Sequence, residues 1–232
     1  MTLTDREPAT AGGAAGVTTV ASLARDWART APTQVAMREK DFGIWNEYDW
    51  ATTWGLIEDA AHGLIALGVE PGDRVSIHAE DRPEWVILDL ATVAVRGVAV
   101  GFYPTNPAAE VEYLLQDCGA CVHFAEDEEQ YDKVDEIDRA QLPDLRTIIF
   151  VEPRGMVGKD DDRLLFWDNF LELGREHKAK HPNAVADRMA AARGDDVMTL
   201  VYTSGTTGPP KGAMLTNANA AFCIDVIINS ND

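Results

Sequence analysis

The sequence predicts an α/β protein with a largely parallel sheet flanked by helices, and two observations carry that reading. From Asp73 onward, short apolar runs alternate with longer stretches whose apolar residues recur at helical spacing. Gly and Pro punctuate the joins, as at Gly68, Pro71, Pro83, Pro107 and Gly119. Strands that alternate with helices imply right-handed crossovers, which place helices on both faces of a parallel sheet.

Residues 1–17 include the run Ala11-Gly12-Gly13-Ala14-Ala15-Gly16 and show no apolar periodicity, so they read as a disordered tail. No strand precedes those glycines, and their spacing does not make a dinucleotide fingerprint. Residues 18–31 read as a helix, and 35–38 and 44–48 as two strands around an Asp41-Phe42-Gly43 turn. Trp54, Ile57, Ala61, Leu64 and Leu67 recur at helical spacing until Gly68 and Pro71 close that helix.

The alternation then begins with a strand at 74–79, followed by a helix whose first turn suits Pro83. A second strand is expected at 98–102. Asn106-Pro107 opens a helix with Val111, Leu114 and Leu115 on one stripe, closed by Gly119. A strand at 121–124, a helix at 126–140 and a strand at 147–151 follow. Helical segments fill roughly 164–193, the fifth strand covers 197–202, and a further strand is expected from Gly212 to Leu215.

The chain has 232 residues and a formal charge of −19, from 39 acidic against 20 basic groups. That balance argues against nucleic acid, whose affinity rests on Lys and Arg neutralising phosphates. Any anionic ligand must be held by a local arrangement working against the global field. Three cysteines, Cys118, Cys121 and Cys223, build no extracellular framework and fit a reducing cytoplasm. The polar N-terminus has no apolar signal core. The apolar stretch 85–103 is interrupted by Asp89, Arg96 and Gly97, so it reads as a buried helix followed by a strand rather than a membrane span.

The chemistry is concentrated in residues 202–212, Tyr-Thr-Ser-Gly-Thr-Thr-Gly-Pro-Pro-Lys-Gly, directly after an apolar run. Gly205, Gly208 and Gly212 let amide groups approach a ligand closely. Thr203, Ser204, Thr206 and Thr207 add hydroxyl donors, and Lys211 adds a compact positive charge for phosphate oxygens. Pro209 and Pro210 stiffen the exit. In open α/β sheets ligands collect beyond the carboxyl ends of strands, where this loop lies. A Walker A loop is excluded, because Pro210 precedes Lys211 and a strand follows. A kinase glycine-rich loop is excluded by Thr203.

This segment resembles the phosphate-binding motif of the adenylate-forming enzymes, which include acyl-CoA synthetases, luciferases and peptide-synthetase adenylation domains. Three further stretches resemble the bacterial long-chain fatty-acyl-CoA ligases. They are Met37-Arg38-Glu39-Lys40-Asp41-Phe42-Gly43-Ile44-Trp45, Asp81-Arg82-Pro83-Glu84-Trp85, and Tyr103-Pro104-Thr105-Asn106-Pro107 with Val111-Glu112-Tyr113-Leu114-Leu115. Asn217 stands where many members carry His. The likeness runs from about residue 18 to the end.

The resemblance implies a truncated lobe of the large N-terminal domain of the acyl-CoA synthetase fold. Residues 18–232 would be a partial AMP-binding domain, with 73–215 forming an α/β lobe. Residues 18–66 would pack mainly on a lobe outside this chain, leaving Trp50 and Trp54 exposed. The implied reaction activates a long-chain fatty acid with ATP and Mg²⁺ to an acyl-adenylate, then transfers the acyl group to coenzyme A. By the same resemblance Thr203, Ser204, Gly205, Thr206, Thr207, Gly208 and Lys211 contact the β- and γ-phosphates, and none is an acid–base or covalent catalyst. The adenine-contacting segment, the acidic Mg²⁺ ligand, the ribose-binding aspartate and the lysine of the mobile C-terminal domain would lie downstream, in a C-terminal half that could be separately encoded. Two other readings stay open: a different adenylate-forming ligase (acyl-AMP, aryl-CoA or carrier-protein loading), or an inactive nucleotide-binding remnant. Membrane contact would be peripheral at most.

Other constellations read as structural. Cys118-Gly119-Ala120-Cys121 sits at a helix-to-strand turn, not the strand-to-helix turn that activates redox thiols. His177 and His181 lack the Glu of a metalloprotease motif and read as a solvated helix end. Glu126 to Glu129 reads as a solvated helix start, and Asp160-Asp161-Asp162 as an exposed loop.

Overall fold

The computed structural model describes residues 17–203 and 208–229, so the expected tail lies outside the described residues up to Gly16. Helix α1 (Val20–Thr30) opens on a reciprocal cap: the Ser22 amide donates to the Thr19 hydroxyl oxygen at 3.0 Å, and the Thr19 amide to the Ser22 hydroxyl oxygen at 2.9 Å. Strands β1 (Val35–Asp41) and β2 (Ile44–Asp49) form an antiparallel hairpin. Its two-residue turn places Phe42 and Gly43 at φ 44° and 84°, the positive pair that suits the twist of flanking strands. Helix α2 (Trp50–Ala66) starts where the Asp49 carboxylate accepts from the Thr52 amide.

The main sheet follows: β3 (Arg74–His78), α3 (Pro83–Ala94), β4 (Val98–Phe102), α4 (Ala108–Cys118), β5 (Ala120–Ala125), α5 (Glu128–Asp135), β6 (Thr147–Phe150) and β7 (Leu164–Phe166). Helices α6 (Trp167–Lys180) and α7 (Ala184–Ala190) lead to β8 (Val197–Thr203), β9 (Lys211–Thr216) and α8 (Asn217–Asn229). The strand order is β7-β6-β5-β3-β4-β8-β9, parallel throughout except for the antiparallel β8–β9 pair. This is the expected architecture of a mostly parallel sheet between helices.

Two apolar cores form, one on each face. Val75, Ile77, Phe124 and Ile149 point to one face and pack with α1, α2, α3, α6 and α7. Val100, Phe102, Ala125 and Ile148 point to the other and pack with α4 and α5. Alternate residues thus serve opposite faces, which is why the strands read as continuous apolar runs.

Helices α1 and α2 pack on this lobe: Ile57, Ala60, Ala61 and Leu64 are fully buried, and Trp50 and Trp54, expected to be exposed, are half-buried against the same core. The physical reason is the close approach of α6, where a side chain on Gly174 would collide with the Asp59 carbonyl and one on Gly63 with the Phe170 ring. The β1–β2 hairpin does stand exposed, with Phe42, Ile44 and Trp45 at 95%, 68% and 59%.

Residues 164–166, expected to be helical, form edge strand β7, because three apolar residues beside β6 satisfy its free ladder groups. The helix expected over 126–140 ends at Asp135, and Arg139–Gln141 forms a separate 3₁₀ turn. Finally, the Asp160–Asp162 run is only partly exposed. The Asp161 and Arg163 side chains are 7% and 6% exposed and pair at 2.7 Å. Burial alone would raise the Asp161 carboxyl, and the Arg163 guanidinium outweighs it, holding the group below the usual range.

Candidate functional site

The loop singled out by its composition is the connection of the β8–β9 hairpin, at the carboxyl end of a parallel strand. The ladder pairs Tyr202 with Gly212 and, last, Thr203 with Lys211. Thr203 and Lys211 therefore face each other across the mouth of the loop, both exposed. Ser204, Gly205, Thr206 and Thr207 lie outside the described residues. Gly208 has φ 88°, a conformation that L side chains rarely adopt. Gly212 has a different reason to be glycine: the Tyr202 ring lies across it, and a Cβ there would sit 3.2 Å from the ring.

The Lys211 ammonium makes no ion pair among the described residues. In a chain with 39 acidic against 20 basic groups, Lys211 is thus a cation without an acidic partner among the described residues, across from the exposed Thr203.

Helix α4 backs the hairpin. The Tyr113 hydroxyl donates to the Pro210 carbonyl at 3.0 Å, and the Tyr202 hydroxyl donates to the Asp117 carboxylate at 2.6 Å. Burial and the Asp117 hydrogen bond push the Tyr202 phenol well above its ordinary range, so it remains a donor. A cavity of about 210 Å³ opens between the hairpin and the turn after β4, lined by Gly101, Tyr103, Asn106, Glu110, Tyr202 and Pro210 among others. The Lys133 ammonium holds that turn by donating to the Pro104 carbonyl at 2.7 Å.

Sequence reasoning reached the loop but not its supports. Tyr113 lay in a stretch read as scaffold, and nothing in the local pattern marks Asp117. Their only signal is the spacing of three intervening residues, which puts both on one face of a helix.

The remaining candidates separate cleanly. Cys118 and Cys121 are buried free thiols, and burial pushes Cys118 up to about 12, so it is inert as a nucleophile. His177 is not simply a solvated helix end: its Nδ1 lies 2.9 Å from Nδ1 of the buried His62, across the α2–α6 contact. Burial holds both imidazoles below their ordinary range. No group of three or more His, Cys, Asp or Glu among the described residues could hold a metal. None of the helices among them is long and apolar enough to cross a membrane.

Comparison with known proteins identifies the family. The family model for AMP-binding enzymes matches residues 24–231. A long-chain-fatty-acid–CoA ligase of Mycobacterium bovis is 38% identical over 200 residues, covering 86% of this chain and 31% of that protein. Among solved structures, an acetoacetyl-CoA synthetase from Streptomyces lividans superposes with a TM-score of 0.67 at 27% identity, covering 86% of this chain and 30% of that one. An anthranilate CoA ligase in complex with anthranoyl-AMP superposes with a TM-score of 0.71 at 23% identity, covering 92% and 37%. The last likeness concerns the fold alone. The chain spans about a third of the length of these proteins.

Proposed function

Because the chain belongs to the AMP-binding enzyme family, we propose that it is the N-terminal, phosphate-gripping part of a long-chain fatty-acyl-CoA ligase. In the proposed reaction a fatty carboxylate oxygen attacks the α-phosphorus of ATP. The bond to the bridging oxygen breaks, pyrophosphate leaves, and the thiol of coenzyme A then displaces AMP from the acyl-adenylate. A carboxylate is a weak nucleophile repelled by a polyanion, so the protein must align the reactants and stabilise charge on the leaving group.

Thr203, Ser204, Gly205, Thr206, Thr207 and Gly208 would offer amides and hydroxyls to the β- and γ-phosphates, and Lys211 the charge. The observation that carries this reading is the uncompensated Lys211 facing Thr203 at the carboxyl end of β8. Magnesium would enter as part of the MgATP substrate. The long-chain substrate is supported by the 38% identical relative. The likeness to an acetoacetyl-CoA synthetase keeps shorter acids as the competing choice. The reaction would run in the cytoplasm, with peripheral membrane contact at most, and the acyl and acceptor sites would come from the rest of the ligase.

Two measurements test this. Calorimetry should detect MgATP or Mg-pyrophosphate binding to this chain, weakened about 10- to 100-fold by Lys211→Ala, as expected for loss of a charged hydrogen bond. In a chain joined to the remaining length of the ligase, ATP–pyrophosphate exchange should depend on a long fatty acid in a panel that includes acetoacetate. An unchanged affinity in Lys211→Ala would remove the role assigned to it.

A further inference from the structure

We infer that helix α4 positions the phosphate hairpin, through Tyr113 and Asp117 as its two positioning residues; this rests on the phosphate-binding reading above. The hairpin needs such support. Strand β8 pairs with β4 only at Thr199 with Ala99 and Leu200 with Val100. Beyond Leu200, residues Val201–Thr203 project past the parallel ladder and pair only with β9, which is the edge of the sheet. A two-stranded ribbon held on one side pivots, and the Thr203–Lys211 mouth lies at its far end.

Helix α4 grips the hairpin on either side of its closing Thr203–Lys211 pair, at Tyr202 on the strand side and at Pro210 on the loop side. The Tyr113 hydroxyl takes the Pro210 carbonyl, one residue before Lys211. Asp117 takes the Tyr202 hydroxyl, one residue before Thr203. Proline has no N–H, so its carbonyl is the one backbone group by which that position can be tied. Tyr113 and Asp117 are four residues apart, hence on one face, while Val111, Leu114, Leu115 and Cys118 bury the helix in the core. The C-terminal end of α4 is pinned in turn, because the Arg74 guanidinium donates to the Cys118 and Gly119 carbonyls. A rigid element thus sets the distance between the Thr203 hydroxyl and the Lys211 ammonium, which is what alignment of a triphosphate requires.

The test compares Tyr113→Phe, Asp117→Asn and Asp117→Ala in the full chain. Both Asp117 variants lose the charge, but only Asn keeps an acceptor, so their difference isolates the hydrogen bond. Hydrogen exchange at the Thr203–Lys211 closing pair should quicken in Tyr113→Phe and Asp117→Ala, with the unfolding midpoint unchanged. Mg-pyrophosphate affinity should fall about three- to tenfold in Tyr113→Phe relative to wild type, and by the same factor in Asp117→Ala relative to Asp117→Asn. Equal exchange in wild type, Tyr113→Phe and Asp117→Ala, or equal affinity in the two Asp117 variants, would overturn the inference. Absence of pyrophosphate binding in the wild type sinks the phosphate reading instead, while the exchange data still decide the anchoring.

Discussion

Strands β3, β5 and β6 share a sheet with β8 and β9, yet the first group is buried on both faces and the second is not. The same apolar patterning therefore ends in two different environments. Each parallel crossover in the first group brings a helix onto the sheet, so cover comes with connectivity. The β8–β9 pair is antiparallel and consecutive in the chain, so its connection brings none. Val201, Met214 and Leu215 stay 43%, 68% and 41% exposed there. The difference bears on the proposed phosphate site, which would need access from solvent: the loop after β8 leaves the sheet at its less covered end.

The comparison breaks if the two ends respond alike to substitution. The largest effect is expected for Asp161→Ala, which leaves the buried Arg163 guanidinium without its partner. We expect a loss of about 4 kcal/mol in denaturant unfolding. Ile149→Ala, fully buried in the core beneath α6, should cost about 3 kcal/mol by cavity formation.

Acid should sharpen the same contrast. His78 ends β3 fully buried, and burial, with the Lys133 charge, lowers its pKa to about 4. The unfolded chain takes up that proton near pH 6.5, and the folded chain does so only near pH 4. Stability from this group is thus complete above pH 6.5 and falls by about 3 kcal/mol as pH drops to 4. His123, buried beside it and held well below its ordinary value, pulls the same way. Urea midpoints for wild type and His78→Leu across that range measure the slope, which the substitution should flatten.

The smallest effect belongs to the open end. Met214→Lys should change stability by no more than about 0.5 kcal/mol. A loss equal to that of Ile149→Ala would mean that the β8–β9 face is covered in solution.

Much of this molecule was legible in the chain. The strands at β3 through β6 and at β8, the Gly119 and Pro83 helix boundaries, and the position of the loop after β8 all follow from periodicity and from residues with special backbone preferences. These are local properties, and local patterns report them. Strand β7 escaped, because three apolar residues are too few to set a period. Asp161 was read as solvated, because a run of acids carries no mark of the guanidinium that neutralises one of them.

Sequence by itself marked the residues proposed to hold a phosphate, since glycine, hydroxyl and lysine chemistry belongs to the residues wherever they fold. Tertiary structure alone decided that α2 packs on this lobe, and that Tyr113 and Asp117 tie down a hairpin nearly a hundred residues away. Long-range pairs of this kind depend on how elements meet in space, and no spacing along the chain encodes that distance.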